Sequence, residues 1–208
     1  MPIDYKHTST QVSQRDVFSR NLLARQYRAF IDASILGELA QSLRILDIGC
    51  GEGILLERLR DRFPGKHLSG VDLSEENVRI CRELGLDVSL GDACSLGLPP
   101  ECLDACVMMS VLEHVEKPAA ALREAWRVLV PGGLLIVLIP NDGLFRFARY
   151  VFLRFKEARR DYGHVSEWDP GSTREGVESA GFEIVGARNL PGPFWATSLH
   201  HLCIGKKP

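Results

Sequence analysis

The chain has 208 residues, 45% of them apolar and 25% charged, in the range of an ordinary globular protein with one full-sized core. Its 25 Lys and Arg against 27 Asp and Glu leave a formal net charge of −2, which offers no global attraction for nucleic acid. The longest apolar run, residues 134–140, is far too short to cross a bilayer, and residues 1–20 lack the apolar region of a signal peptide. Six cysteines, at 50, 81, 94, 102, 106 and 203, form no C-x-x-C pair and no zinc-type spacing. Reduced thiols in a cytoplasmic protein, organised as a single domain over 1–208, are expected.

Residues 1–15 are polar and aperiodic, as in a chain terminus. From Asp16 to Ala40 apolar residues recur at three- to five-residue spacing, which predicts an N-terminal helical segment over 16–40 with a break near Asp32-Ala33-Ser34. Packing on a sheet is the simpler role for this segment; a lid with Tyr27 near a ligand is the other. Arg44 to Leu56 then reads as strand, glycine turn and helix, with glycines at 49, 51 and 53. Glycine lets the main chain take positive φ and lets a ligand approach it, and the following helix points free N–H groups at the turn.

A dinucleotide loop would read G-x-G-x-x-G, yet Ile54 stands where the third glycine belongs. Asp47 precedes the turn and Glu52 lies inside it. Carboxylates so placed repel a pyrophosphate and favour a cationic ligand. A second strand over 67–73 ends at Asp72, roughly 20 residues after the turn, the spacing at which a carboxylate accepts from ribose hydroxyls. Ser74 is the better cap for the helix that follows, which leaves Asp72 to a ligand. Strand three, over 86–90, ends at Gly91-Asp92-Ala93, and Asp92 is either a turn residue or a further ligand contact.

Strand four is expected over 103–109, followed by Ser110-Val111-Leu112-Glu113-His114-Val115. His114 suits proton removal near neutral pH, or else hydrogen-bonds the start of a helix. A helix over 118–130 closes at Pro131-Gly132-Gly133, and residues 134–139 form an apolar fifth strand of the kind covered on both faces. Residues 144–160 carry six Lys and Arg against one acid on an amphipathic helical pattern, within a helical cap expected over 144–168. That helix either packs on the domain, or caps an amphiphilic or anionic substrate or makes transient membrane-surface contact. His164 follows, then Asp169-Pro170 opening a short helix. Two strands near 182–185 and 199–204, antiparallel, close the chain around an aromatic loop at Phe194-Trp195.

Five stations in order (Asp47 to Gly53, Asp72, Asp92, Leu112-Glu113-His114, and Pro131-Gly132-Gly133) make the chain similar to the class I S-adenosylmethionine (SAM)-dependent methyltransferases that act on small molecules and lipids. The resemblance covers about 45–140 closely and 160–204 loosely. One departure is Leu103-Asp104, where the family shows an Asp-Phe pair. The resemblance implies an α/β fold, a doubly wound, mainly parallel, seven-stranded Rossmann-like sheet with a reversed last hairpin. It implies SAM as cofactor, held by Asp47, Gly49, Cys50, Gly51, Gly53, Asp72, Leu73, Asp92, Ala93 and Ser110, with Asp92 facing the adenine amino group. It also implies in-line displacement by a small-molecule or lipid-like acceptor, with His114 and His164 as the catalytic candidates.

No metal is required by that chemistry, and no clustered ligands are evident in the sequence. An Asn-Pro-Pro-Tyr-type motif is absent after strand four, which disfavours DNA as acceptor. The identity of the acceptor and the oligomeric state stay open. Two other functions compete: a non-catalytic SAM-binding accessory or regulatory protein, and a nicotinamide-dependent oxidoreductase, which Glu52 and the glycine spacing oppose.

Overall fold

A computed structural model of the protein describes residues 22–144 and 164–208. Seven strands lie in one sheet in the order β3-β2-β1-β4-β5-β7-β6. They are β1 (Arg44–Ile48), β2 (His67–Asp72), β3 (Val88–Leu90), β4 (Leu103–Met109), β5 (Leu129–Pro140), β6 (Glu183–Leu190) and β7 (His200–Lys206). The first five are mutually parallel, and β7 runs antiparallel to both β5 and β6. The doubly wound, seven-stranded sheet with its reversed hairpin is therefore as expected.

The central strands β1, β4 and β5 are mainly apolar on both faces because helices cover both. Leu46, Ile48, Cys106, Met108, Leu135 and Val137 point to one side, where they meet α4 (Pro118–Val128) and α5 (Pro170–Ser179). Ile45, Ala105, Val107, Ile136 and Leu138 point to the other, against α1 (Leu22–Glu38) and α2 (Ile54–Arg62). A fifth helix, α3 (Glu75–Glu83), packs Val78 and Cys81 against Leu86 and Val88 near β3. Period-two alternation along each strand thus sorts its residues between two cores.

Three elements differ from the sequence expectation. The N-terminal helix runs unbroken through Asp32-Ala33-Ser34. Asp32, 1% exposed, faces inward and meets Arg28 at 2.8 Å and Arg58 of α2 at 2.6 Å, so the charge that suggested a break is neutralised in place. β5 begins at Leu129, with Pro131-Gly132-Gly133 bulging out of the strand rather than ending before it. Between the pairs Leu103–Leu129 and Ala105–Leu134 the register shifts, and Gly132, at φ 81°, lets the bulge turn back. The last hairpin is longer than predicted at both strands because β6 and β7 pair along their length.

Asp104, the departure noted in the sequence, ties the start of β4 to the start of β1. Its carboxylate accepts from the amides of Leu43 (3.0 Å) and Arg44 (2.8 Å) and from the Arg44 guanidinium at 2.7 Å. The basic helix expected over 144–160 falls almost wholly on 145–163, outside the described residues. At the edges of the expected cap, residues 142–144 are helical, whereas 164–169 are not. Among the described residues no helix is long and apolar enough to cross a membrane. All six cysteines are free thiols, and Cys50, Cys81, Cys106 and Cys203 are buried.

Asp32 joins α1 to α2 through Arg58 and also pairs with Arg28 on its own helix, so its removal takes a buried partner from both. Asp32→Ala is expected to lower unfolding stability by about 2–3 kcal/mol, at the lower end for breaking a buried pair because Arg58 is partly in water. A denaturant midpoint unchanged from the parent protein would show that the pair contributes nothing.

Candidate active site

The strand order reverses direction between β1 and β4, so the crevice at their C-terminal ends is where an open α/β sheet accepts a ligand. The turn after β1 meets the turn after β4 there. Gly49 takes φ 69°, and a Cβ on it would come within 2.7 Å of Val111 Cγ2. Gly53 takes φ 75° as the N-cap of α2, and a Cβ there would meet Leu86 at 2.5 Å and Cys81 Sγ at 2.9 Å. Both glycines serve close packing as well as backbone conformation. The amides of Gly49 and Cys50 donate to the Val71 carbonyl at 2.7 and 3.2 Å, which pins the turn to β2.

Asp72 holds the same turn from the side. One carboxylate oxygen accepts from the Gly51 amide at 2.8 Å, and the other from the Ser74 amide at 2.9 Å and Asn77 Nδ2 at 3.0 Å. Ser74 does cap α3, accepting from the Asn77 amide at 3.3 Å. Asp72 is nonetheless not left to a ligand alone, as the sequence suggested; it braces the turn against α3. A carboxylate has about four acceptor positions, so room for a further donor persists.

The remaining cofactor candidates spread around this crevice. Asp92 is exposed and accepts from the Cys94 amide at 2.8 Å in a tight turn, and the neighbouring Ala93 packs against the core. Leu73 is half exposed, and Cys50 is buried with its thiol pushed up by desolvation. Ser110 stands at φ 55°, a left-handed conformation that costs on the order of 1–3 kcal/mol for a non-glycine residue. Its amide is held by the Leu138 carbonyl at 2.8 Å.

Asp47 is 2% exposed, on the α1–α2 side of β1. Burial raises its carboxyl to about 7, with the Asp72 and Asp32 charges adding to the rise and Arg28 opposing it. A buried, acid-rich end to the glycine turn suits a cation. SAM, with a sulfonium, an ammonium and no phosphate, fits this donor set better than a pyrophosphate does.

On the other side of Val111 the chain makes a short 3-10 turn, Leu112–His114. Glu113 is 1% exposed, and neither of its carboxylate oxygens has a partner in hydrogen-bonding geometry. Burial raises this carboxyl to about 7; its own backbone amide, His164 and the Ser110 hydroxyl lie close enough to offset part of the rise, and the Asp142 charge adds to it. The Val165 amide donates to the Glu113 carbonyl at 2.8 Å, which stitches residues 164–166 onto the turn. His164 consequently lies against His114, ring centroids 4.6 Å apart and edge to face. His164 Nδ1 sits 2.7 Å from Asp142 Oδ2, just past the end of β5. The two catalytic candidates therefore converge.

The sequence showed no clustered metal ligands, and here the structure differs. One ligating atom each of Glu113, His114 and His164 lie within 4.8 Å of one another. Glu113 and Asp142 were not singled out as reacting groups; adjacency of Glu113 to His114, and an acid directly after a strand end, were the available signals. Asn141 was missed as well. Its Nδ2 donates to the carbonyls of Trp195 (2.8 Å) and Ser198 (3.0 Å), which draws the aromatic loop toward the strand end that carries Asp142.

Tyr27 and the last two histidines are built into the scaffold. The Tyr27 hydroxyl pairs with His200 Nδ1 at 2.7 Å, and His201 Nδ1 pairs with Asn189 Oδ1 at 2.7 Å. Tyr27 thus ties α1 to the β6–β7 hairpin.

Residues 46–137 match the model of a methyltransferase-domain family. A ubiquinone biosynthesis O-methyltransferase of Methylococcus capsulatus is 29% identical over 79% of this chain and 77% of its own. A protein of the same name from Aeromonas salmonicida is 35% identical over 78% of this chain and 71% of its own. Other curated relatives are matched over 52% of their own length. The fold also superposes on a SAM-dependent methyltransferase of Thermotoga maritima, titled a possible histamine N-methyltransferase, with a TM-score of 0.71, 23% identity and coverage of 94% and 96% of the two chains. With its seven-stranded sheet, its glycine turn and these relatives, the chain belongs to the class I SAM-dependent methyltransferases.

Proposed function

We propose that the chain methylates an oxygen of a small-molecule or lipid-like acceptor, and that this acceptor docks against the Glu113–His114–His164 cluster. The observation that carries the proposal is the convergence of His114, His164 and Asp142 beside the turn that continues from Ser110. Curated relatives named as ubiquinone biosynthesis O-methyltransferases support oxygen as the nucleophile and a small acceptor. The Phe194-Trp195 loop, which Asn141 draws in, supplies an aromatic rim for it. Six free thiols fit a cytoplasmic setting.

When bound, SAM supplies a methyl group already activated by its sulfonium. The chain's own task is to hold both partners in line and to take up the acceptor's proton. Asp47 and the Gly49–Gly53 turn would line the charged end of the cofactor, Asp72 would offer its remaining acceptor positions to the ribose hydroxyls, and Asp92 would offer its carboxylate to the adenine amino group. Cys50, Leu73, Ala93 and Ser110 complete the walls. Asp142 fixes the orientation of His164, which faces His114 where the acceptor hydroxyl enters.

Two measurements follow from this arrangement. A cation favours the ionised form of Asp47, so binding should release a proton where that carboxyl is still partly protonated. With its carboxyl at about 7, SAM affinity is expected to rise about tenfold from pH 6 to pH 8 and then level off. Calorimetry in two buffers of different ionisation enthalpy reads the released proton, and Asp47→Asn should abolish it. Affinity that does not change with pH would place the cation elsewhere.

The second measurement uses methyl-tritiated SAM and a panel of phenolic and lipid-like acceptors. His164→Ala and His114→Ala are each expected to cut turnover by about 10²–10⁴-fold while leaving SAM affinity unchanged. Undiminished turnover in both variants would remove the cluster from the acceptor site.

A further inference from the structure

We propose that Glu113, His114 and His164 form a binding site for one divalent first-row metal ion of the zinc or iron(II) class. The site is assembled from two distant segments, the turn after β4 and the stretch that precedes α5. Ligating atoms around a single such ion stand about 2.0–2.2 Å from it, and so roughly 3–4 Å from one another. The three candidate atoms already lie within 4.8 Å of one another. Small rotamer adjustments close the difference.

The chemistry of the three groups points the same way. A carboxylate that is 1% exposed, with no donor well aligned to either oxygen beyond the nearby Ser110 hydroxyl and its own amide, is unfavourable unless a cation meets it. A metal ion supplies that charge. His164 already shows the outer arrangement of a metal-binding histidine, because its Nδ1 sits 2.7 Å from the Asp142 carboxylate. Such carboxylate–histidine pairs set the ring orientation and raise the basicity of the other nitrogen, here Nε2. Both histidines have further interactions, which metal loading would exchange for coordination.

Two imidazoles and one carboxylate form a donor set that selects zinc, iron(II), cobalt or manganese over magnesium and calcium, which prefer all-oxygen shells. Three protein ligands leave coordination positions open to water or to an acceptor oxygen. The backbone holds the set in register, since the Val165 amide donates to the Glu113 carbonyl at 2.8 Å and Trp168 Nε1 donates to Ser166 Oγ at 2.9 Å. The ion's part in catalysis rests on the methyl-transfer function proposed above: a hydroxyl bound to it loses its proton more readily. Metal binding itself does not depend on that function.

The test titrates the full chain, stripped with chelator, with Co²⁺ while the visible absorption of the ion is recorded. One equivalent is expected to bind at micromolar or lower concentration, and Zn²⁺ should displace it. Glu113→Gln and His164→Ala should each weaken binding by at least tenfold while SAM binding, measured on the same samples, shows the fold intact. No stoichiometric Co²⁺ binding by a chain that binds SAM would overturn the site, as would binding that both variants leave unchanged. Methyl transfer is assayed separately. Stoichiometric binding in a chain that methylates nothing upholds the site and rejects the proposed function, whereas chelator-resistant transfer without Co²⁺ binding rejects the site and keeps the function.

Discussion

Asp72 holds together the parts on which the rest of the crevice depends. Its two oxygens join the Gly51 amide to Ser74 and Asn77, so one carboxylate at the end of β2 sets where the glycine turn lies relative to α3. Hydrogen bonds to a charged group contribute more than neutral ones, about 1.5–3 kcal/mol each, and here they act on a segment where backbone conformation decides ligand access. The turn in turn sets the position of Val111, because Gly49 leaves no space for a side chain between them. Val111 leads directly into the turn that carries Glu113 and His114. The charge that braces the glycine turn therefore also fixes the spacing between that turn and the one that carries Glu113 and His114.

Much of this was legible in the sequence because it is local. Three glycines on alternate positions, an acid before them and an acid at the next strand end are features that short-range sterics and electrostatics make readable. Burial on both faces of β1, β4 and β5 follows from near-continuous apolar runs, which only a sheet covered on both sides can bury. The unbroken α1 was not legible, since Asp32 looks like a helix breaker until Arg28 and Arg58 are seen beside it. The bulge at Pro131-Gly132-Gly133 was likewise hidden, because a strand that absorbs a turn depends on the register of its neighbour.

The Glu113–His114–His164 cluster shows the same limit more sharply. His114 and His164 stand 50 positions apart in the numbering, and residues 145–163 between them lie outside the described structure. Their meeting depends on a backbone bond between Val165 and Glu113, which no side-chain pattern announces. Nothing in the sequence sets Glu113 apart from other acids; its burial at 1% exposure does. The crevice thus has two electrostatic halves. One is an acid-rich turn suited to a cationic cofactor, and the other is a carboxylate and two imidazoles suited to a proton or a metal.

The claim most central to this account is that the glycine turn selects a cation rather than a phosphate. Calorimetric titration of the purified chain with SAM and, separately, with NAD and NADP measures that choice directly. An acid-lined turn requires SAM to bind at micromolar concentration and both dinucleotides to bind at least a hundredfold more weakly, about 2.7 kcal/mol. Dinucleotide affinity equal to or above that for SAM would contradict it.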